Sequence, residues 1–216
     1  MKLKLLILVT CLCLFTCKEE TPAVTVDYKY QSSKDILNCE GLDTALIQEA
    51  FYSFENDLTN FYTPEKPIYS RAYSLFVSQA VANKVDYSKM VSEHSKNLLE
   101  ALKQNTELWT TNPDGSKVNF SHPVFKCIGA NIQDKPLKDT FNALVQTNSM
   151  SLRMFGDELK RKTFGMKDDK HLATYVALEL FYGKIYDADL SQSNAELPDQ
   201  NTQEQKEDTS HDGHNH

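Results

Sequence analysis

Apolar side chains recur every three or four residues over most of the chain, from about Leu37 to Tyr186. This spacing places them on one face of an α-helix, because one helical turn takes about 3.6 residues. The pattern therefore predicts amphipathic helices that pack around a common core. We expect these helices at about 43–62, 68–83 and 87–105, from Pro123 past Cys127, from Pro136 to about 162, and at about 169–186.

The same pattern argues against a β-sheet. Strict alternation of apolar and polar residues is confined to the short stretch from Val24 to Tyr28. The sequence therefore predicts an all-α fold, with a single domain of about five to seven helices at residues 34–187. A strong turn is expected at Asn112–Gly115. A weak similarity between residues 72–76 and 173–181 adds the hypothesis of two weakly related helical halves.

Helix starts are indicated by aspartates, which accept hydrogen bonds from the free backbone amides of a first turn. Asp43 and Asp86 are placed to cap the first and third predicted helices, and Asp168 or Asp169 the last. In that last helix residues 176–181 are apolar except for Glu179. Because a helix that is apolar on all sides is usually buried, we expect the last helix to be central.

The first predicted helix also carries Glu49, Glu55 and Asp57, which are expected on its outer face. Aromatic residues lie on both sides of the proline-bounded loop at residues 63–67. Core packing is the ordinary interpretation of these rings, and a groove beside the loop is the alternative. The rings in question belong to Tyr52, Phe61, Tyr62 and Tyr69.

The N-terminus has the pattern of an export signal. Lys2 and Lys4 precede an apolar run of about eleven residues, which is too short to span a bilayer as a helix. Residues 1–16 are therefore predicted to be a signal peptide. Leu14, three residues before Cys17, resembles the leucine of a bacterial lipobox, although Thr16 stands where such motifs have a smaller residue. An ordinary signal peptide that is cleaved nearby is the alternative.

The resemblance to a lipoprotein implies that Cys17 is acylated and that the lipid bilayer is a partner of the mature protein. Each buried acyl methylene contributes about 0.8 kcal/mol to such an anchor. The following Lys18-Glu19-Glu20 is similar to the signature that directs lipoproteins of Bacteroidota to the cell surface. It implies an outer-membrane lipoprotein that faces outward, with a periplasm-facing position as the alternative. No family is indicated for the folded domain.

Two polar segments flank the predicted domain. Residues 17–33 lack helical periodicity and are expected to be a flexible tether behind the lipid anchor. Residues 188–216 are acidic and low in complexity, and they are predicted to form a disordered tail. The tail holds His211, His214 and His216 within six residues, a set of imidazoles that could bind zinc, copper or nickel weakly.

Cysteine usage fits an oxidising compartment. Of the five cysteines, Cys11 and Cys13 would leave with the signal peptide, and Cys17 would carry lipid. Cys39 and Cys127 remain, and we expect them to form a disulfide. Neither has a Cys-x-x-Cys partner, which argues against redox catalysis and against a zinc finger.

Charge and motifs limit the classes of function. The chain has 23 basic and 30 acidic residues, a net charge of −7, which argues against nucleic acid as a partner. His94, His122 and the pair Asp168 and His171 lack the spacing of known metal or catalytic motifs and are interpreted as surface or capping residues. The sequence thus predicts a non-enzymatic binding or interaction module without a cofactor, for an unknown envelope protein or ligand. The alternative is a metal-handling lipoprotein that uses the tail.

Overall fold

Eight α-helices make up the part of the chain that the computed structural model describes, residues 24–110 and 116–190. No β-strand is present in these residues, so the predicted all-α fold is confirmed. None of their helices is long and apolar enough to cross a membrane. In chain order the helices are α1 (Ala45–Tyr62), α2 (Tyr69–Val81), α3 (Tyr87–Met90), α4 (Glu93–Gln104), α5 (Pro123–Asn131), α6 (Lys135–Gln146), α7 (Leu152–Arg161) and α8, which is α-helical at Lys170–Tyr175, π-helical at Val176–Tyr182 and α-helical again at Gly183–Ile185.

Two of the predicted helices are each divided in two. The helix expected at 87–105 is interrupted at Val91, which is extended, and Ser92 then caps α4 by accepting a hydrogen bond from the Ser95 amide at 3.2 Å. The helix expected from Pro136 to 162 is interrupted at Asn148, whose φ is +50°. Asparagine tolerates this left-handed conformation better than most residues, and Ser151 then caps α7.

Helix starts otherwise follow local side-chain chemistry. Asp169 caps α8 by accepting a hydrogen bond from the Leu172 amide at 3.0 Å, as one of the two predicted caps. His122 caps α5 through Nδ1, 3.2 Å from the Val124 amide. Asp86 precedes α3 but makes no capping bond, and its carboxylate instead pairs with Lys89 at 2.8 Å. The first turns of α5 and α8 are thus fixed by side-chain caps, whereas α3 begins without one.

Helices α1 and α8 form the centre of the domain. Helix α1 packs against α2, α3, α4 and the π-helical part of α8. Every residue of α8 from Leu172 to Gly183 is buried, in agreement with its predicted central position. The rings of Phe54 and Phe181 lie 5.2 Å apart at the contact between the two helices. Burial of one such side chain stabilises the fold by about 1.5–3 kcal/mol.

A disulfide ties the segment before α1 to α5. Cys39 and Cys127 are joined, with their Cα atoms 5.7 Å apart and a sequence separation of 88. The other predicted sites, Cys17 and the histidines of the tail, lie outside the described residues, as does the turn expected at Asn112–Gly115. The tail histidines are His211, His214 and His216.

Candidate binding groove

Helix α1 buries acidic side chains. Glu49, Glu55 and Asp57 are only 2%, 4% and 0% exposed, so the prediction that they lie on an outer face is wrong. The reason is that α1 is enclosed by other helices and has no long solvent-facing side. A buried carboxylate is costly unless charged or hydrogen-bonded partners replace the water it has lost. The partners of these three acids therefore define the polar part of the domain.

Glu49 holds the segment that precedes the first helix. Its carboxylate accepts hydrogen bonds from the backbone amides of Lys29, at 2.7 Å, and Tyr30, at 3.0 Å. His94 on α4 reaches the same carboxylate with Nε2 at 2.8 Å. The end of the predicted tether therefore packs on α1, and the Tyr30 ring is 6% exposed.

Asp57 and its neighbour Ser53 connect α1 to the start of α4. Asp57 accepts a hydrogen bond from the Ser92 amide at 3.1 Å. The hydroxyls of Ser53 and Ser95 are 2.7 Å apart in the buried contact between the two helices. Both polar residues of α1 thus have an architectural role, because each satisfies a polar group where α4 begins.

Glu55 differs from the other two acids because it lines an open groove. The groove has a volume of about 400 Å³, within the range of about 300–1,000 Å³ that is typical of small-molecule sites. Its walls come from the segment before α1, from α1 itself, from the loop that leads into α2 and from the first residue of α2. The lining residues are Tyr30, Ser33, Lys34, Tyr52, Glu55, Asn56, Thr59, Pro67 and Tyr69.

Two partners share one oxygen of Glu55. The hydroxyl of Tyr73 and the ammonium group of Lys170 both lie 2.8 Å from its Oε1. Burial raises the pKa of Glu55, while the charge of Lys170 and the hydrogen bonds from Lys170 and Tyr73 lower it. The carboxylate is therefore compensated by groups of the protein itself.

Lys170 is the first residue of α8 and comes from 115 positions further along the chain. Its Nζ lies over two aromatic rings, 5.2 Å from the centroid of Phe51 and 5.6 Å from that of Tyr69. These cation–π contacts and the ion pair hold the ammonium group against the groove while the side chain stays 31% exposed. One end of the groove thus has a fixed, neutralised charge pair.

Three tyrosine rings also line the groove. The rings of Tyr30 and Tyr52 lie 5.8 Å apart and only 31° from parallel, and Tyr69 is 39% exposed. The Tyr52 hydroxyl donates to the carbonyl oxygen of Lys34 at 2.6 Å. This bond attaches the segment before α1 to α1. Burial raises the pKa of both Tyr52 and Tyr69 above 10.0, and Glu55 raises both further, so these phenols stay protonated at neutral pH.

The sequence located part of this groove. Tyr52 and Tyr69, two of the four aromatic residues considered for a groove, do line it. Tyr62 does not, because its hydroxyl donates to Gln79 at 2.8 Å and its ring packs against Phe61. The sequence also showed Glu55 as an acidic residue with aromatic neighbours on the first predicted helix. The contribution of Lys170 carries no signal in the sequence, since only the tertiary fold brings it to α1.

A further buried acid lies in the π-helical part of α8. Glu179 is 5% exposed and accepts a hydrogen bond from the hydroxyl of Ser116. Ser116 lies two residues before Val118, which pairs with Trp109 in an isolated β-bridge. Burial raises the pKa of Glu179 to about 7, against the lowering effects of Ser116 and Lys184. Through its hydrogen bond with Ser116, Glu179 holds residues 116–118 against the central helix α8.

Metal-binding geometry is absent from the described residues, which contain no group of three or more His, Cys, Asp or Glu side chains that could hold a metal ion. No protein-family model matches this chain, and no curated protein or solved structure does either.

Proposed function

We propose that the protein is a membrane-anchored lipoprotein whose helical domain is a non-enzymatic binding module, and that the groove beside Tyr69 is its binding site. One observation carries the proposal. The groove combines accessible tyrosine rings with a carboxylate that is already compensated by Lys170 and Tyr73. Such a surface is suited to hold a ligand by packing and hydrogen bonds.

The lining of the groove favours binding over catalysis. Among its nine lining residues there is one carboxylate and neither a histidine nor a cysteine. General acid–base and nucleophilic catalysis usually need two such groups within hydrogen-bond reach of one another. The one acid here has its Oε1 occupied by Lys170 and Tyr73, an arrangement that stabilises structure.

Attachment to a membrane follows from the proposed acylation of Cys17, facing the cell exterior or the periplasm. Tyr30 belongs to the groove wall and follows Cys17 by 13 positions. An extended chain covers at most about 3.6 Å per residue, so the groove would lie within about 47 Å of the lipid anchor. A ligand of this site would therefore be met close to the membrane surface.

Cross-linking in intact cells tests the site. Photo-lysine in place of Lys34, on the groove wall, should form adducts with the bound molecule in the full-length protein. Photo-lysine in place of Lys89, whose side chain is 67% exposed on α3, is the matched control and should not. Adducts at position 34 should decrease when Tyr69→Ala is added. Equal labelling at both positions, or none at position 34, would reject the groove as a binding site.

The anchor has its own test. Cys17→Ser should release the protein from membranes or leave it at its precursor size, because the acyl chains provide the proposed attachment. Membrane fractionation and intact mass of the full-length protein measure both effects. Unchanged membrane attachment together with an unchanged mature mass would show that Cys17 is not the acylated residue.

A further inference from the structure

We infer that the ligand of the groove is a neutral saccharide, either free in solution or as the headgroup of a glycolipid. This inference rests on the proposed function of the groove and assigns a chemical class to its occupant. It follows from three properties of the lining: how charge is distributed, which hydrogen-bonding groups are open, and where aromatic rings are accessible.

Charge is the first property. Glu55, the acid in the lining, is paired with Lys170, and Lys170 is itself held over the rings of Phe51 and Tyr69. A cationic ligand would have to displace this lysine from both the carboxylate and the rings. Lys34 carries the remaining charge of the lining, but it is exposed, where water and salt weaken an ionic contact to about 0–1 kcal/mol. Neither a cation nor an anion therefore finds a strong complementary charge.

Hydrogen-bonding capacity is the second property. Eight of the nine lining residues carry a polar side-chain group, Pro67 being the exception. The hydroxyls of Ser33 and Tyr69 make no hydrogen bond to another described residue. An apolar ligand would cover these hydroxyls without replacing the water bound to them, which is costly. A ligand with many hydroxyl groups can both donate to them and accept from them.

Aromatic surface is the third property. A pyranose ring has apolar C–H faces and a rim of hydroxyl groups, so it can pack flat on an aromatic ring while its rim forms hydrogen bonds. Tyr69 offers the accessible ring, and Tyr52 also lines the groove, with its hydroxyl already donating to the carbonyl oxygen of Lys34. A peptide fits this groove less well than a saccharide. The described residues offer no sheet edge for strand addition, and the groove is too polar for the apolar face of an amphipathic helix.

Binding can be measured with the full-length protein and defined sugars. The probes are maltotriose, cellotriose, N,N′,N″-triacetylchitotriose and mannotriose, studied by saturation-transfer NMR and calorimetry, with choline and trigalacturonic acid as charged comparisons. We expect at least one neutral trisaccharide to bind, with an affinity that changes little with salt or with Lys34→Gln. Phosphatidylcholine vesicles with and without digalactosyldiacylglycerol separate the two sources, because preference for the glycolipid vesicles over the free sugars identifies a lipid headgroup.

Variants connect binding to the groove. Tyr69→Ala should weaken saccharide binding about tenfold, whereas Tyr69→Phe, which keeps the ring, should weaken it less. Phe164→Ala is the matched control, since Phe164 is 76% exposed and does not line the groove, and its affinity should equal that of the wild type. Circular dichroism of each variant verifies folding.

The outcomes separate the two proposals. If photo-lysine at position 34 captures a charged or peptidic molecule and none of the neutral sugars or glycolipid vesicles binds, the saccharide inference is overturned while the groove remains the binding site. Saccharide binding that survives Tyr69→Ala unchanged would overturn the saccharide inference, because the sugar would then bind elsewhere, whereas adducts at position 34 decide separately on the groove. Binding of trigalacturonic acid that disappears with Lys34→Gln, without binding of any neutral sugar, would also overturn the inference.

Discussion

Two fully buried tyrosines have opposite polar surroundings. Tyr73 and Tyr175 are both 0% exposed. The Tyr73 hydroxyl donates to the carboxylate of Glu55, whereas the Tyr175 hydroxyl is buried without a hydrogen-bond partner among the described residues. The ring of Tyr175 is instead surrounded by other rings, with Phe141 at 5.3 Å and Phe155 at 5.6 Å. The same side chain therefore stabilises the fold through its hydroxyl in one place and through its ring alone in the other.

Removal of each hydroxyl should have a different effect on stability. Tyr73→Phe should lower the free energy of unfolding by about 1.5–3 kcal/mol, the usual value of a hydrogen bond to a charged group. Tyr175→Phe should leave it unchanged or raise it by about 1 kcal/mol, because an unpaired buried polar group is removed and the ring is kept. Urea denaturation measures both. A similar loss in the two variants would mean that the Tyr175 hydroxyl has a stabilising partner.

At the scale of elements, α8 combines a central position with an irregular helix. Its π-helical part, Val176–Tyr182, contains Glu179, the acid that binds Ser116. This part is bonded to two other helices: Tyr87 of α3 donates to the Leu180 carbonyl at 2.6 Å, and Tyr182 within it donates to the Ala50 carbonyl of α1 at 3.0 Å. π-Helical segments often occur where local geometry is required by function. Here the segment places a carboxylate inside the domain.

The stability of the domain should depend on pH through Glu179. Its pKa is about 7 in the folded protein and near 4.5 when exposed, so the folded state keeps this proton longer as pH rises. The unfolded state ionises first, and folding therefore becomes less favourable between about pH 4.5 and 7, by about 3 kcal/mol in total. Glu179→Gln removes this penalty. Its stability relative to the wild type should rise across that interval and level off above pH 7.

Glu100→Gln provides a control for this experiment. Glu100 lies on α4, exposed and paired with Lys103 at 2.7 Å, so its replacement should change stability little at any pH. Thermal or urea denaturation at several pH values from 4 to about 8.5 gives the required comparison. A constant difference between Glu179→Gln and the wild type over this range would contradict a raised pKa at Glu179.

Helical periodicity sufficed for the fold class and for most helix positions, because it depends on spacing that is local in the chain. It missed the interruptions at Ser92 and Asn148, since a serine or asparagine within a periodic stretch is compatible with both a helix and a break. It also placed Glu49 and Glu55 on the surface. Their partners, Lys29 and Lys170, are 20 and 115 positions away, and periodicity carries no information about such contacts.

At the scale of the whole molecule, one covalent bond connects the N-terminal segment to the second half of the domain. The Cys39–Cys127 disulfide closes a loop of 88 positions. In the chain-entropy model a loop of this length stabilises the folded state by about 4–5 kcal/mol, which is an upper value. The double variant Cys39→Ser, Cys127→Ser should lose free energy of unfolding up to that amount. The bond holds the segment that supplies Tyr30, so its loss in the double variant should also weaken ligand binding at the groove.

Denaturation of the double-serine variant and of wild-type protein, with and without reductant, tests the disulfide. Reduction should destabilise the wild type to about the level of the variant and should leave the variant unchanged. Mass spectrometry under non-reducing conditions should find the peptides of Cys39 and Cys127 joined. Free thiols at both positions in native protein would contradict the bond.

The predicted metal binding of the tail can be tested without disturbing the folded domain. Truncation of residues 191–216 removes His211, His214 and His216 together with six acids and one lysine. Since the described residues contain no cluster that could hold a metal ion, zinc or copper binding by the full-length protein should fall sharply in the truncated one. The metal affinity of the full-length protein should increase most between about pH 6 and 7, where free imidazoles lose their protons.

Calorimetry on both proteins measures the metal affinity. Their melting temperatures without metal should be nearly equal, because surface changes usually alter stability by less than about 0.5 kcal/mol. Undiminished metal binding after truncation would move the site elsewhere in the chain, and a large loss of stability would show that the tail packs on the domain.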